Sequence, residues 1–177
     1  ILKRAKCIIV DLNVPKVSLD FITAYAKKHD INLVLIPVSG PKMERLPDNL
    51  EPVNWLIINR DETEAHFGIE INNDDELKSA ARRWNDLGVE HVVVTNGAKS
   101  LVYSSPTEQK IYEISPSEKV VDVTGAGDSF SSAIVYGWLK GLPIDECIKL
   151  GMVNSKKTIE TAYTVRQDLT KKQLKIE

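Results

Sequence analysis

Two cysteines in 177 residues, Cys7 and Cys147, stand alone without C-x-x-C spacing, so neither a zinc ribbon nor a disulfide framework is offered. Histidine is almost as scarce. His29, His66 and His91 are scattered, with no H-E-x-x-H arrangement, and each reads as a surface or boundary residue rather than a ligand. No N-x-S/T acceptor occurs, which removes one sign of secretion. No apolar run approaches the roughly 18 residues that a membrane span requires. Neither sign of charge dominates: 23 Lys and Arg oppose 25 Asp and Glu, a net of −2. A protein held by nucleic-acid phosphates would need a basic excess, so no nucleic acid and no membrane is expected as a partner. An initiator methionine is also missing. The opening, Ile1-Leu2-Lys3-Arg4-Ala5-Lys6, has no apolar core after its charges, so it is no signal peptide and reads as a fragment or processed chain. What remains is 42% hydrophobic and 27% charged, which excludes disorder and collagen and suits about one globular domain with a cytoplasmic location.

The first part of the chain alternates strand and helix. Lys6 to Asp11, Asn32 to Ile36, Trp55 to Ile58 and His91 to Thr95 are short apolar runs of the kind buried in a parallel sheet. Between them, Val17 to His29 repeats Leu19, Ile22 and Ala26 at helical spacing. The Pro- and Gly-bearing segment Ser39 to Pro52 predicts a connection with at most one helical turn. Asp61 to Phe67 predicts a short helix closed by Gly68. Asn73-Asp74 then starts a longer helix with Leu77, Ala80, Ala81, Trp84 and Leu87 on its inner face. Leu101 to Tyr103 and Lys110 to Ile114 look like two strands around a polar turn. Helices follow at Gly127 to Lys140 and from Pro143 to about Thr161, and Thr170-x-x-Gln173 resembles a capping box for a last short helix. The pattern predicts an α/β fold with three layers and a mainly parallel sheet.

Ligands of such sheets bind beyond the carboxyl ends of the strands, which draws attention to Asn59, to Thr95–Gly97 and above all to Asp122–Asp128. In the last stretch, Gly125, Ala126 and Gly127 let backbone N–H groups converge without side-chain obstruction. A helix follows at once, so those groups are unpaired and carry the positive end of its dipole. Phosphate suits such an end. Asp128 beside it would compete with phosphate unless it does something, such as accepting a proton from an attacking hydroxyl; the alternative is that it only favours the first helical turn. A Rossmann fingerprint would need glycine where Phe130 stands, and Gly97-Ala98-Lys99-Ser100 lacks Walker A spacing.

The run Asp122-Val123-Thr124-Gly125-Ala126-Gly127-Asp128-Ser129-Phe130-Ser131-Ser132-Ala133 resembles the C-terminal signature of the ribokinase-like (PfkB) carbohydrate and nucleoside kinases. Asn59-Arg60-Asp61-Glu62 resembles the family's N-x-x-E motif and Thr95-Asn96-Gly97-Ala98 its T-x-G element, in the family's order. The resemblance implies an ATP- and Mg²⁺-dependent phosphotransferase acting on a small sugar or nucleoside. By that resemblance, Asp128 is the base, and Gly125, Ala126 and Gly127 form an anion hole for the transferred phosphoryl group. Asn59 and Glu62 organise Mg²⁺ and its waters, while Thr95, Gly97 and Thr124 contact nucleotide phosphates. Asn154 falls where the family lines its adenine pocket, although the usual small residues after it are replaced by Ser155-Lys156-Lys157-Thr158. Some members hold a monovalent cation such as K⁺ near the residue matching Asp122.

Two further stretches, Pro37 to Lys42 and Glu160 to Leu169, look most like the pseudouridine kinase branch, with kinases of ribose or fructose as the alternative. Family chains run to about 300 residues, and nothing here resembles their sugar-gripping N-terminal half. Residues 1–177 therefore read as the C-terminal, nucleotide-binding and catalytic part, either of a kinase or of a non-catalytic nucleotide-binding module. A homodimer stays open as its assembly.

Overall fold

A computed structural model describes residues 2–170, which form two compact units that meet in sequence between Ile114 and Ser115. The first is built on one six-stranded sheet whose strands lie in chain order. Strands β1 (Cys7–Val10), β2 (Asn32–Leu35), β3 (Trp55–Asn59) and β4 (His91–Asn96) run parallel, and β5 (Ser100–Ser104) and β6 (Gln109–Glu113) continue as an antiparallel hairpin. Runs such as Leu33-Val34-Leu35 and Trp55-Leu56-Ile57-Ile58 are buried on both sides of the pleat, which is why they read as continuous rather than alternating apolar segments.

Helices α1 (Lys16–His29), α2 (Arg60–Phe67) and α3 (Asp74–Asp86) connect the parallel strands. Leu19 and Ala26 of α1 and Leu77, Ala80, Ala81 and Trp84 of α3 pack with Leu33, Leu56, Val92 and Val102 in one core. The indole N–H of Trp84 donates to Thr63 Oγ1 at 3.4 Å, so its deep burial leaves no polar atom stranded. The Asn73 side chain accepts from Glu76 N–H at 2.9 Å and starts α3 where the sequence predicts.

Two local expectations in this unit fail for identifiable reasons. Leu87 was placed on the inner face of α3, but it is the C-cap and is 48% exposed, because the helix ends at Asp86. The segment after β2 holds more than one helical turn: Gly40–Arg45 is a six-residue 3₁₀ helix. Met43, Leu46 and Leu50, spaced three or four apart, are buried and hold this proline-rich stretch against the core.

In the second unit, residues 115–125 are irregular. The sequence places Asp122–Asp128 beyond a strand end, but no strand forms at 120–121; the N–H groups of Val121 and Asp122 both donate to Ile159 O. Helices α4 (Ala126–Leu139) and α5 (Ile144–Ile159) pack closely along small residues. A β-carbon on Gly151 would stand 2.8 Å from the Phe130 ring and 2.9 Å from Ile134, and one on Gly137 would stand 3.1 Å from Cys147 Sγ. The capping box expected at Thr170-x-x-Gln173 extends outside the described residues. No helix among the described residues is long and apolar enough to cross a membrane.

Candidate active site

The predicted site residues fall into two groups, one in each unit. In the first, Asn59 and Thr95 are register partners at the carboxyl ends of the adjoining parallel strands β3 and β4. Gly97 stands two residues beyond Thr95 in the β4–β5 turn, with φ +58° and nothing within 4 Å of where its β-carbon would lie. The Asn-Gly turn thus has its own conformational need for glycine, and it leaves the backbone open to close approach.

Asn59 ends β3 and caps α2. Its Oδ1 accepts from Glu62 N–H at 2.8 Å, and Glu62 Oε2 accepts from Asn59 N–H at 3.1 Å, a reciprocal capping box. Glu62 is only 3% exposed. Burial pushes its carboxyl above the usual range, opposed by the hydrogen bonds from Asn59. The N-x-x-E spacing is therefore occupied by local structure, and Glu62 is no solvated helix charge.

In the second unit, Asp122–Asp128 forms a tight loop into α4. Asp122 Oδ1 accepts from Thr124 N–H at 2.9 Å and from Thr124 Oγ1 at 2.7 Å, and these bonds hold its carboxyl below the ordinary value. Gly125 adopts φ +83° as the N-cap of α4, and a β-carbon there would overlap the Thr164 carbonyl oxygen. Both facts require glycine. Ala126 N–H donates to Val123 O at 3.1 Å and closes the turn, and the helical ladder begins with Ser129 N–H on Gly125 O at 2.9 Å. The N–H groups of Gly125, Gly127 and Asp128 have no acceptor among the described residues, whereas Ala126, expected to share the anion hole, has its N–H committed to the turn. A β-carbon on Gly127 would meet open space, so the cradle stays open beside it. The Asp128 carboxylate is exposed and carries no hydrogen bond or ion pair among the described residues. A free carboxylate beside unpaired N–H donors can take a proton while the donors face an anion.

Asn154, expected to line an adenine pocket, turns inward. It is 3% exposed; its Nδ2 donates to Ser129 O in the first turn of α4 at 2.7 Å, and its Oδ1 accepts from Arg166 Nη2 at 2.9 Å. Arg166 entered the sequence reading only as part of the stretch Glu160 to Leu169, but a signal for its contact was present. Ile148, Gly151, Asn154 and Thr158 share the buried face of α5, so a polar residue at that spacing needs an internal partner.

Other reactive groups are unsuited to the chemistry. Burial raises the Cys7 and Cys147 thiols to about 11, with Glu146 adding to the effect at Cys147. His91 is held by Tyr103 Oη at 2.9 Å from Nδ1, and burial lowers its pKa. Among the described residues no group of three or more His, Cys, Asp or Glu is placed to hold a metal. A divalent cation held by one or two side chains and by substrate phosphates needs no such cage.

Residues 1–171 match the pfkB family of carbohydrate kinases. The chain belongs to that family. This pfkB-family chain is 26% identical over 169 residues to the pseudouridine kinase of Escherichia coli, covering 96% of the chain and 53% of that enzyme. It is also 26% identical over 170 residues to the ribokinase of Haemophilus influenzae, covering 93% and 55%. Among solved structures, a carbohydrate kinase from Agrobacterium tumefaciens superposes with a TM-score of 0.81 at 25% identity, covering 98% of this chain and 54% of that one. The chain spans about half the length of the curated relatives it matches, and the α/β fold with its mostly parallel sheet is that of the ribokinase-like kinases.

Proposed function

We propose that this chain carries the nucleotide-binding and catalytic part of an ATP-dependent kinase that phosphorylates pseudouridine to pseudouridine 5′-phosphate. The observation that carries the kinase reading is the exposed, unpaired Asp128 carboxylate in the first turn of α4, beside the open N–H groups of Gly125, Gly127 and Asp128. Asp128 accepts the proton of the substrate hydroxyl as that oxygen attacks the γ-phosphorus. The Gly125-Ala126-Gly127 turn faces the charge that develops on the transferred phosphoryl group, and the open space beside Gly127 suits a phosphate. Thr95, Gly97 and Thr124 contact the nucleotide phosphates, and Asn154 serves the same end through its bond to the first turn of α4.

Mg²⁺, when bound, neutralises phosphate charge and keeps several waters. Asn59 and Glu62 would organise it: their capping box holds the Glu62 carboxylate at the carboxyl end of β3, and one carboxylate with an amide suits a hydrated ion. Asp122, whose carboxyl stays ionised through its bonds from Thr124, would hold a monovalent cation such as K⁺. A binding-only module has no need of a free base at Asp128.

The choice of pseudouridine is supported by the stretches Pro37 to Lys42 and Glu160 to Leu169 and by the Escherichia coli relative. The ribokinase relative at the same identity keeps ribose as the competing substrate. A panel of pseudouridine, ribose and fructose with ATP and Mg²⁺, run on the full-length protein, tests the assignment. Pseudouridine should give the highest kcat/KM. A ribose or fructose preference would move the protein to the other branch, and ATP binding without transfer to any acceptor would leave a binding module.

A further inference from the structure

We propose that Arg166 is a positioning residue for the phosphoryl-binding end of α4, acting through Asn154. The inference rests on the reading of that helix end as the phosphoryl site. Arg166 is 5% exposed, yet among the described residues its buried Nε has no hydrogen-bond partner. Its Nη1 lies 3.5 Å from the largely exposed Asp168. A buried guanidinium satisfied this incompletely is a poor contributor to stability, since burying a cation is costly and one screened carboxylate returns little.

The bond it does make leads to the site. Arg166 Nη2 donates to Asn154 Oδ1 at 2.9 Å, and Asn154 Nδ2 donates to Ser129 O at 2.7 Å. Ser129 directly follows Asp128, and its own N–H donates to Gly125 O at 2.9 Å. The bond donated by Arg166 fixes which way the Asn154 amide faces, because a guanidinium can only donate. With Oδ1 turned to Arg166, Nδ2 must face the Ser129 carbonyl. The same segment presses on the loop a second time, since the Thr164 carbonyl fills the place of a β-carbon on Gly125. Two contacts from residues 164–166 thus bracket the turn that carries Gly127 and Asp128.

The test compares Arg166→Met, Asn154→Ala and their double variant with wild type. It reads hydrogen exchange at the Ser129 amide and ATP affinity by calorimetry, with the Val135 amide in the middle of α4 as the internal reference. Arg166→Met should speed Ser129 exchange and weaken ATP binding by about tenfold each, the usual cost of losing one hydrogen bond to a buried partner. Val135 exchange and the melting temperature should hold or improve, a split that a merely structural role would not produce. Adding Arg166→Met to Asn154→Ala should change either reading by about twofold at most, because the link is already cut. Arg166→Lys, which keeps a donor, should recover part of both losses. Unaltered Ser129 exchange in folded Arg166→Met, or additive effects in the double variant, would overturn the proposal. Should Arg166→Met not fold, Asn154→Asp decides in its place: it keeps an acceptor for Arg166 but loses the donor to Ser129, and must show both losses. If wild type binds no ATP, the kinase reading falls, and Ser129 exchange alone decides the role of Arg166.

Discussion

Glu62 shows how one residue can be pulled in two directions. As the third residue of α2 it completes a capping box, and Gln could do the same. As a carboxylate it is buried, which raises its pKa in the folded chain. The folded state therefore holds the proton more tightly than the unfolded chain, and stability falls as pH rises from the unfolded carboxyl value through the folded one. Glu62→Gln removes that loss. Melting experiments should show the variant more stable than wild type at neutral pH, with the gap closing near about pH 4, where the unfolded carboxyl also takes its proton. Mg²⁺-dependent turnover should fall in the same variant, because the proposed ion-organising charge is gone. Lower stability at neutral pH would mean that the hydrogen bond to the charged acceptor outweighs its burial. From sequence alone, N-x-x-E spacing at Asn59 and Glu62 could be a motif or a cap, since spacing does not reveal burial. The same holds for Asn154: its position along the chain was legible, but not the inward turn imposed by Ser129 O and Arg166.

Two glycines of the α4–α5 pair make opposite demands. Gly127 lies in the first turn of α4 with open space around it, whereas Gly151 of α5 lies against Phe130 and Ile134 at distances no side chain tolerates. Gly127→Ala should leave the melting temperature unchanged or raise it, since alanine favours a helix by about 0.5–1 kcal/mol over glycine, while weakening ATP binding by filling the cradle. Gly151→Ala should cost about 1–3 kcal/mol, the usual penalty of overpacking, and lower the melting temperature. Calorimetric titration and thermal melts on both variants check the pair; undiminished ATP affinity in Gly127→Ala would contradict the anion cradle. Elements of this regularity were legible because their apolar periodicity is strong, as in Leu77, Ala80, Ala81 and Trp84. The 3₁₀ helix Gly40–Arg45 was not, because Pro41 and Pro47 signal a break while only tertiary burial of Met43 and Leu46 holds the turns in place.

For the whole molecule, membership of the pfkB family rests on a match across residues 1–171, while the curated relatives extend to about twice the matched length. The glycine turn into α4 was legible because its requirements are local: a φ of +83° at Gly125, an open first turn at Gly127, and a free carboxylate one residue on. The phosphate acceptor is less so, because a ribokinase matches at the same 26% identity as the pseudouridine kinase that supports the proposed substrate. Both readings share one claim, that Asp128 is the base of a phosphoryl transfer rather than a helix-end charge. The most direct measurement is turnover of Asp128→Asn in the full-length protein, alongside its ATP affinity. Loss of the base should lower kcat by about 10²–10⁴-fold or more with ATP affinity little changed; near-normal turnover would contradict the account.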